Sequence, residues 1–185
     1  MWCCGVKSGI DDFKNFLKDN KNYLPISIHD VIKGSLSLTD ASRKEHFIKL
    51  IEDFDDDLII KGNINELEQS IINILNNAKD SLTSNKNLKN KYIFISTKKT
   101  DENHIKIKIL DNGGGIKEDI LSRIFEPYFT TKHQSIGTGL GLSMVDKIVR
   151  ERHQGIIKAY NEEYNYNGEN FKGACFVITL NNITI

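Results

Sequence analysis

The segment LDNGGGIKED, residues 110–119, places a carboxylate and three consecutive glycines at the end of a run that predicts a buried strand. Gly113, Gly114 and Gly115 leave the backbone bare, so a flat ligand can lie against the main chain beside Asp111. A carboxylate only accepts hydrogen bonds, and it therefore selects a donor such as the exocyclic amine of adenine. The same pattern also fits a glycine-rich turn with a capping aspartate, and this segment alone leaves both interpretations open.

A second glycine cluster, SIGTGLGLSMV at residues 135–145, directly precedes an amphipathic helix. Its glycines alternate with other residues, at Gly137, Gly139 and Gly141. Bare amides at a helix N-terminus, with the positive end of the helix dipole behind them, favour a phosphate chain. The Thr138 hydroxyl adds a further donor. A flexible hinge is the alternative interpretation.

The clearest helix of the sequence follows Asn63 and carries polar side chains along one side. At about 100° per residue, Asn73, Asn77 and Asp80 fall on one line, away from the apolar stripe of the helix. Amide and carboxylate oxygens suit a hydrated Mg²⁺ ion. A polar stripe often only faces solvent. Asparagine is a mediocre helix former, however, and a solvated face does not require it, so the asparagines favour a binding role.

The segment RIFEPYFTTKHQSIGTG, residues 123–139, contains three aromatic residues around Pro127 and predicts an irregular loop. Phe125, Tyr128 and Phe129 could form a lid over a ligand, with the charge of Lys132 directed toward phosphate. They fit equally well an anchor that holds the loop on the core.

Length and composition predict one soluble domain. The 185 residues contain 25 Lys and Arg and 25 Asp and Glu, so no net positive field favours nucleic acid or anionic lipid. No apolar run approaches the roughly 20 residues of a membrane span. Cys3, Cys4 and Cys175 show neither disulfide nor metal-binding spacing, which predicts a reducing, cytoplasmic setting.

Periodicity and turn residues predict a mixture of helices and strands. The predicted helices lie at about 30–42, at 64–82, at 117–123 and in a stretch that ends near 151. The predicted strands lie at 46–54 and 57–62, which form a hairpin, and at 92–97, 104–111, 155–160 and 174–180. The polar stretches 82–91 and 161–173 are predicted loops. Adjacent strand pairs favour a two-layer α/β sandwich, with a mixed, mostly antiparallel sheet and helices on one face.

In this order and spacing, the four segments resemble the nucleotide-binding domain of sensor histidine kinases, gyrase B, MutL and the ninety-kilodalton heat-shock chaperones, the GHKL or Bergerat fold. NILNNAKDSL resembles its asparagine box, DNGGGI its first glycine box, IFEPYFTTK its phenylalanine box and GTGLGLSMV its second glycine box. The resemblance covers about residues 25–180 and is most evident for the nitrogen-regulator type of histidine kinase. It implies an ATP-binding domain at 25–185 after a tail, 1–24, that contains the end of a dimerisation helix. Residues 1–9 are either a cloning remnant or the cut end of a longer chain.

The resemblance implies a role for each polar residue of these boxes. Asp111 would bind the adenine amine, Asn77 would ligate Mg²⁺, and Asn73 would support the phosphates or the metal shell. Asn73 and Asn77 together form the implied catalytic pair.

The glycines and the lid complete the implied site. Gly113 and Gly115 would let the adenine ring approach the backbone, the second glycine box would hold the triphosphate, and Thr131 with Lys132 would belong to the lid. The whole implied nucleotide-binding set is Asn73, Asn77, Asp80, Asp111, Gly113, Gly115, Ile116, Thr131, Lys132, Gly137, Thr138, Gly139, Leu140 and Gly141.

Asn73 stands where hydrolytic relatives carry a glutamate that deprotonates water. An amide cannot accept that proton, so the resemblance implies a kinase that transfers the γ-phosphoryl group of ATP to a histidine. The chain has no room for the two-helix stem that carries this acceptor, and His29 is predicted to start a domain helix. The implied partners are the dimerisation and phosphoacceptor domain of a parent kinase and a response regulator, with no nucleic acid and no membrane contact.

Two departures from the family pattern keep other functions open. Asp80-Ser81 stands where many relatives have Lys-Tyr, so a phosphate contact is lost or replaced, and Ala174-Cys175 stands where a threonine is common. The alternatives are a non-enzymatic, nucleotide-gated switch whose lid docks partners, and a GHKL-type ATPase or serine kinase.

Overall fold

The hydrophobic core lies between a five-stranded sheet and the helices. A computed structural model describes residues 23–55, 58–131 and 138–182. The strands are β1 (Leu24–Ser27), β2 (Ile48–Phe54), β3 (Ile59–Gly62), β4 (Lys91–Lys99), β5 (His104–Asp111), β6 (Ile156–Tyr166) and β7 (Glu169–Asn181). The helices are α1 (Ile28–Glu45), α2 (Ile64–Ser84) and α3 (Gly141–Lys147), and a π-helical turn at Ile148–Arg152 continues α3.

The larger sheet has the strand order β2-β4-β5-β7-β6. β2 runs parallel to β4, whereas the other neighbours are antiparallel, and β1 pairs with β3 in a separate two-stranded sheet. Alternate residues of the central strands, such as Ile95, Ile107 and Ile178, are buried in the same core as the apolar sides of the helices. The predicted α/β sandwich with a mixed, mostly antiparallel sheet is therefore confirmed.

α2 is the helix that positions the candidate site. The Asn63 side chain caps it by accepting hydrogen bonds from Asn65 N at 3.0 Å and Glu66 N at 3.3 Å. Residues at the helical period are buried on its inner side, namely Leu67, Ile71, Ile74, Leu75, Ala78 and Leu82. This burial fixes the rotation of α2 and leaves Asn73 and Asn77 half-buried beside the apolar side.

The predicted hairpin of residues 46–54 and 57–62 is wrong. β2 joins the large sheet beside β4, and β3 pairs with β1, a strand that the sequence pattern does not predict. Asp55 keeps the end of β2 on β4, because its N donates to Thr97 O at 3.1 Å and its Oδ2 accepts from Lys99 N at 2.9 Å. The partner of β2 is therefore about 40 residues away, which a local pattern does not reveal.

The predicted loop at 161–173 is also wrong, because β6 and β7 continue through it as one long hairpin. Asn167 and Gly168 form its two-residue turn, with φ values of 53° and 81°, which is the conformation of a type I′ turn. Aromatic residues on one side of the hairpin pack edge to face with residues of β4, in a cluster of Tyr92, Phe94, Tyr164, Tyr166 and Phe171. Their packing compensates for the polar residues that suggested a loop.

The predicted short helix at 117–123 forms consecutive turns instead. Hydrogen bonds from Ile120 N to Lys117 O at 3.2 Å and from Arg123 N to Ile120 O at 2.9 Å close them at a spacing of three residues. These turns lead to Ile124, which is buried in the core. Within the described ranges, no helix is both long and apolar enough to span a bilayer.

Candidate functional site

One half-buried side of α2 forms the base of the candidate site. It carries Asn73, Asn77 and Ser81, whose spacing of four places them in a row along the helix. The row is about 12 Å long, at 1.5 Å per residue. Asp80 is half-buried beside it, and its carboxylate lies 3.7 Å from Lys79 Nζ.

Asp111 ends β5 and is almost completely buried, with 2% of its surface exposed. Its Oδ1 accepts hydrogen bonds from Gly113 N at 2.7 Å and Ala174 N at 3.4 Å, whereas Oδ2 receives none from the residues that the structure describes. Burial raises the pKa of this carboxyl from 3.8 to about 6, although the two amide hydrogen bonds oppose the rise. Because a carboxylate oxygen only accepts hydrogen bonds, Oδ2 is suited to a donor from a ligand.

The glycine segment after β5 packs against the C-terminal end of α2. Asn85, the C-cap of α2, donates from Nδ2 to Gly113 O at 3.2 Å, and Gly114 N donates to Lys172 O on β7 at 3.0 Å. A Cβ atom on Gly113 would lie 2.1 Å from Ser81 Oγ. A glycine at this position therefore lets the loop touch the Ser81 end of the polar row.

Asn161 of β6 fills the space beside Gly115. Gly115 has a φ of 86°, and a Cβ atom there would lie 2.5 Å from Asn161 Oδ1. Asn161 accepts a hydrogen bond from Ile116 N and donates one to Ile116 O, each at 2.7 Å. Ile116 itself is half-buried and packs against the core. Both glycines of the first box thus accommodate neighbouring side chains in this structure.

The second glycine segment reaches the other end of the polar row. A Cβ atom on Gly141 would lie 3.6 Å from Asn73 Oδ1, an ordinary contact, so α3 begins beside Asn73. Leu140 is the N-cap of α3, and no described side chain caps this helix. Leu140 N donates to Thr138 Oγ1 at 3.4 Å. Among residues 23–55, 58–131 and 138–182, no side chain therefore occupies the N–H groups of the first turn of α3, which suit an acceptor.

The phenylalanines before this segment anchor it to the core. Phe125 and Phe129 pack against buried residues, and the Arg123 guanidinium lies 4.7 Å from the centre of the Phe129 ring. Tyr128 is 74% exposed. A Cβ atom on Gly139 would lie 2.5 Å from the carbonyl carbon of Tyr128, so the aromatic segment directly contacts the second glycine segment. The anchor interpretation thus describes the two phenylalanines.

The remaining predicted residues form no hydrogen bond with the polar row of α2 in the described part of the chain. Thr131 is exposed, and Lys132 and Gly137 lie outside the described residues, as does the tail up to residue 22. His29 is at the start of α1, as predicted, and its ring packs edge-on against Phe54 at a centroid distance of 5.0 Å.

α2 brings the asparagine box together with both glycine segments. The segment after Asp111 contacts Ser81, α3 begins beside Asn73, and Asn77 lies between them, one helical turn from each. Two hollows of about 430 and 500 Å³ lie elsewhere, next to His153 and on the outer side of the sheet. Neither hollow is lined by a residue of α2.

The donor set along α2 fits a hard cation such as Mg²⁺, which prefers oxygen ligands and keeps several waters. Asn73 and Asn77 each offer an amide oxygen from a half-buried position. The described residues contain no group of three or more His, Cys, Asp or Glu side chains that could hold a metal. A cation here would accordingly be held by amide oxygens, water and the oxygens of a ligand.

Four residues of the site were not selected from the sequence: Ser81, Asn85, Asn112 and Asn161. The Asn112 side chain is buried, accepts from Tyr92 N at 2.7 Å and donates to Asn90 O at 2.9 Å, so it ties the glycine segment to β4. A signal for Asn161 was present in the Asn-Gly pair at 167–168, which predicts a hairpin turn and hence a strand at 161. Ser81 and Asn85 belong to the site because they contact Gly113 in the folded chain, and no local sequence pattern predicts these contacts.

The fold defines a two-layer α/β domain in which one helix contacts both glycine segments. The chain belongs to the family of histidine kinase-, DNA gyrase B- and HSP90-like ATPases, whose family model matches residues 62–183.

Among curated proteins, the two-component sensor PprA of Pseudomonas aeruginosa is 36% identical over 159 residues, which are 85% of this chain and 16% of that protein. The chain thus spans a small part of the length of this relative. The nucleotide-free catalytic domain of histidine kinase ThkA has a TM-score of 0.69 and 25% identity, and the match covers 86% of this chain and 95% of that one. ThkA in complex with response regulator TrrA has a TM-score of 0.71, covers 96% of this chain and 47% of that one and, at 19% identity, supports the fold alone.

Proposed function

We propose that this chain is the ATP-binding catalytic domain of a sensor histidine kinase. It transfers the γ-phosphoryl group of ATP to a histidine on a dimerisation domain outside residues 1–185, for signalling to a response regulator. The observation that carries this proposal is the position of α2, which contacts both glycine segments through Asn73 and Ser81. Membership of the ATPase family and the likeness to the ThkA catalytic domain support it.

The two ends of the polar row suit the two ends of ATP. At the Ser81 end, Asp111 Oδ2 is the acceptor for the exocyclic amine of adenine. At the Asn73 end, the uncapped amides of α3 and the Thr138 hydroxyl are donors for the phosphate oxygens. Thr131, Lys132 and Gly137 are assigned to the lid and the phosphate segment by the family pattern alone.

Asn77 and Asn73 are the residues that would hold Mg²⁺ between these ends. When bound, this ion neutralises phosphate charge. Asn73 cannot act as a general base toward water, because its amide does not accept a proton at neutral pH. The site is therefore better suited to hold ATP until a protein nucleophile arrives than to hydrolyse it.

The partners follow from the reaction. The acceptor histidine belongs to a dimerisation domain, and His29 does not supply it, since it packs against Phe54 at the start of α1. The likeness to the two-component sensor PprA supports a response regulator as a partner of the parent kinase. The cytoplasmic location stays a prediction.

The test combines binding with transfer. We expect the chain to bind ATP with Mg²⁺ in titration calorimetry and to label a purified dimerisation domain from [γ-³²P]ATP. The label should be acid-labile and base-stable, as phosphohistidine is, and a dimerisation domain whose acceptor histidine is replaced by glutamine should remain unlabelled. ATP binding without labelling would favour the nucleotide-gated switch, and rapid ATP hydrolysis by the chain alone would favour an ATPase.

A further inference from the structure

Asn161 holds the Ile116 end of the first glycine segment through both atoms of its amide group. Oδ1 accepts from Ile116 N and Nδ2 donates to Ile116 O, each at 2.7 Å, and Nδ2 also donates to Glu118 Oε1 at 2.8 Å. The orientation of the amide is unambiguous, because both partners of Nδ2 are acceptors and the partner of Oδ1 is an N–H donor. Asn161 thus acts as a two-sided clamp on the backbone of Ile116.

The other end of the segment is fixed by different groups. Gly113 N donates to Asp111 Oδ1 at 2.7 Å, Gly113 O accepts from Asn85 Nδ2 at 3.2 Å, and Gly114 N donates to Lys172 O at 3.0 Å. These contacts end at Gly114. Among the described residues, the side chain that hydrogen-bonds the backbone within the next two residues, Gly115 and Ile116, is Asn161, which bonds Ile116.

A clamp matters here because the segment is intrinsically flexible. Glycine loses more conformational freedom on ordering than any other residue, and Gly114 and Gly115 have φ values of 106° and 86°. A segment that must be ordered when the ligand arrives weakens binding, whereas a preorganised segment does not. Asn161 removes this freedom before the ligand arrives.

We propose that Asn161 is a positioning residue for the purine end of the nucleotide site, an inference that rests on the proposed function. By clamping Ile116, it holds the backbone of Gly113–Gly115 at a fixed position relative to Asp111 Oδ2, the atom that selects the base amine. Asn161 does not touch the reacting phosphate. Its effect is on affinity and on base selectivity, and it is exerted through the glycine segment.

The test compares Asn161→Ala with Asn165→Ala in the whole chain. Asn165 is a matched control because it lies on the same side of the same strand and, within the part of the chain that the structure describes, its side chain bonds across the hairpin alone, from Nδ2 to Asn170 Oδ1 at 2.8 Å. Titration calorimetry with Mg²⁺-ATP should show affinity about tenfold weaker for Asn161→Ala, since each lost hydrogen bond changes an equilibrium roughly threefold or more. Asn165→Ala should bind within twofold of the unaltered chain.

A second nucleotide separates positioning from general loss of structure. Inosine triphosphate lacks the exocyclic amine, so its binding does not use the contact with Asp111 Oδ2. In Asn161→Ala the ratio of ATP affinity to inosine triphosphate affinity should fall toward one. If both affinities fall by the same factor, or if Asn161→Ala binds ATP as tightly as Asn165→Ala, the positioning role is refuted.

If Asn161→Ala shows no cooperative thermal transition, Asn161→Asp replaces it, which keeps the size but sets a carboxylate against Ile116 O and Glu118 Oε1. This variant should bind ATP at least threefold more weakly, and unchanged binding would refute the role. Failure of the unaltered chain to bind ATP would instead refute the proposed function.

Discussion

Replacing Asp111 by asparagine should abolish tight ATP binding and at the same time stabilise the ligand-free domain. In asparagine, the group at the position of Oδ2 is either an NH₂ donor or a neutral carbonyl, which accepts more weakly than a carboxylate. Either group faces the amine of the base less favourably. ATP affinity should fall at least 100-fold, because a buried hydrogen bond to a charged group is replaced by an unfavourable contact. Titration calorimetry with Mg²⁺-ATP measures this loss.

The gain in stability follows from the pKa of Asp111. Its native value of about 6 lies above the ordinary value of 3.8 because burial penalises the charged form. The native state therefore binds a proton at Asp111 more tightly than the unfolded state does. This proton binding contributes its full stabilisation below about pH 4, and the contribution is lost as the pH rises toward 6. The penalty above pH 6 is about 3 kcal/mol, at 1.36 kcal/mol per pKa unit. Asparagine does not titrate and escapes it.

Urea unfolding at several pH values tests this account. The free energy of unfolding of Asp111→Asn should exceed that of the unaltered chain by up to about 3 kcal/mol at pH 8, and the difference should disappear near pH 4. Asp119→Asn is the control, since this carboxylate is exposed in the same region and should change neither stability nor ATP affinity. An Asp111→Asn variant that is destabilised at pH 8 would show that the carboxylate serves the fold and not the ligand.

The fold was predictable from the sequence where a local pattern decides it. α2 has a capping asparagine and an apolar stripe in one stretch, and β5 begins and ends at its predicted residues. The pairing of β2 was not predictable, since it depends on β4 far along the chain. The β6–β7 hairpin was missed because polar residues dominate its sequence, whereas the packing of its aromatic residues against Tyr92 and Phe94 of β4 appears only in the folded chain.

The candidate site shows the same division. The sequence motifs select Asp111, Asn77 and the glycines as candidates because each is a residue type with a special chemical or backbone property. The motifs did not identify what holds these residues in place. Asn161 acts through the backbone of Ile116, and Ser81 acts by being small enough to lie against Gly113. Such supporting contacts depend on distances in the folded chain: the Asn-Gly pair at 167–168 predicts a strand at Asn161 but not its contact with Ile116.

Replacing Asn77 by alanine should reduce phosphoryl transfer at least 100-fold, because removal of one group that stabilises transition-state charge has effects of about this size. Asn77 lies one helical turn from both Asn73 and Ser81, at the centre of the polar row, so its amide oxygen is the donor best placed for the cation. ATP binding should survive in part, since Asp111 and the amides of α3 are unaltered. The fold should survive as well, because alanine has a higher helix propensity than asparagine.

Asn76→Ala is the matched control for this prediction. Asn76 is the neighbouring residue in the same helix, gains the same helix propensity on replacement, and is exposed. The rate of labelling of a purified dimerisation domain should be normal for Asn76→Ala and at least 100-fold lower for Asn77→Ala. The dependence of ATP affinity on Mg²⁺ should be lost in Asn77→Ala alone. Labelling by Asn77→Ala at a rate within threefold of the control would show that the cation is held elsewhere. Equal losses in both variants would point instead to a requirement for the polar surface of α2 as a whole.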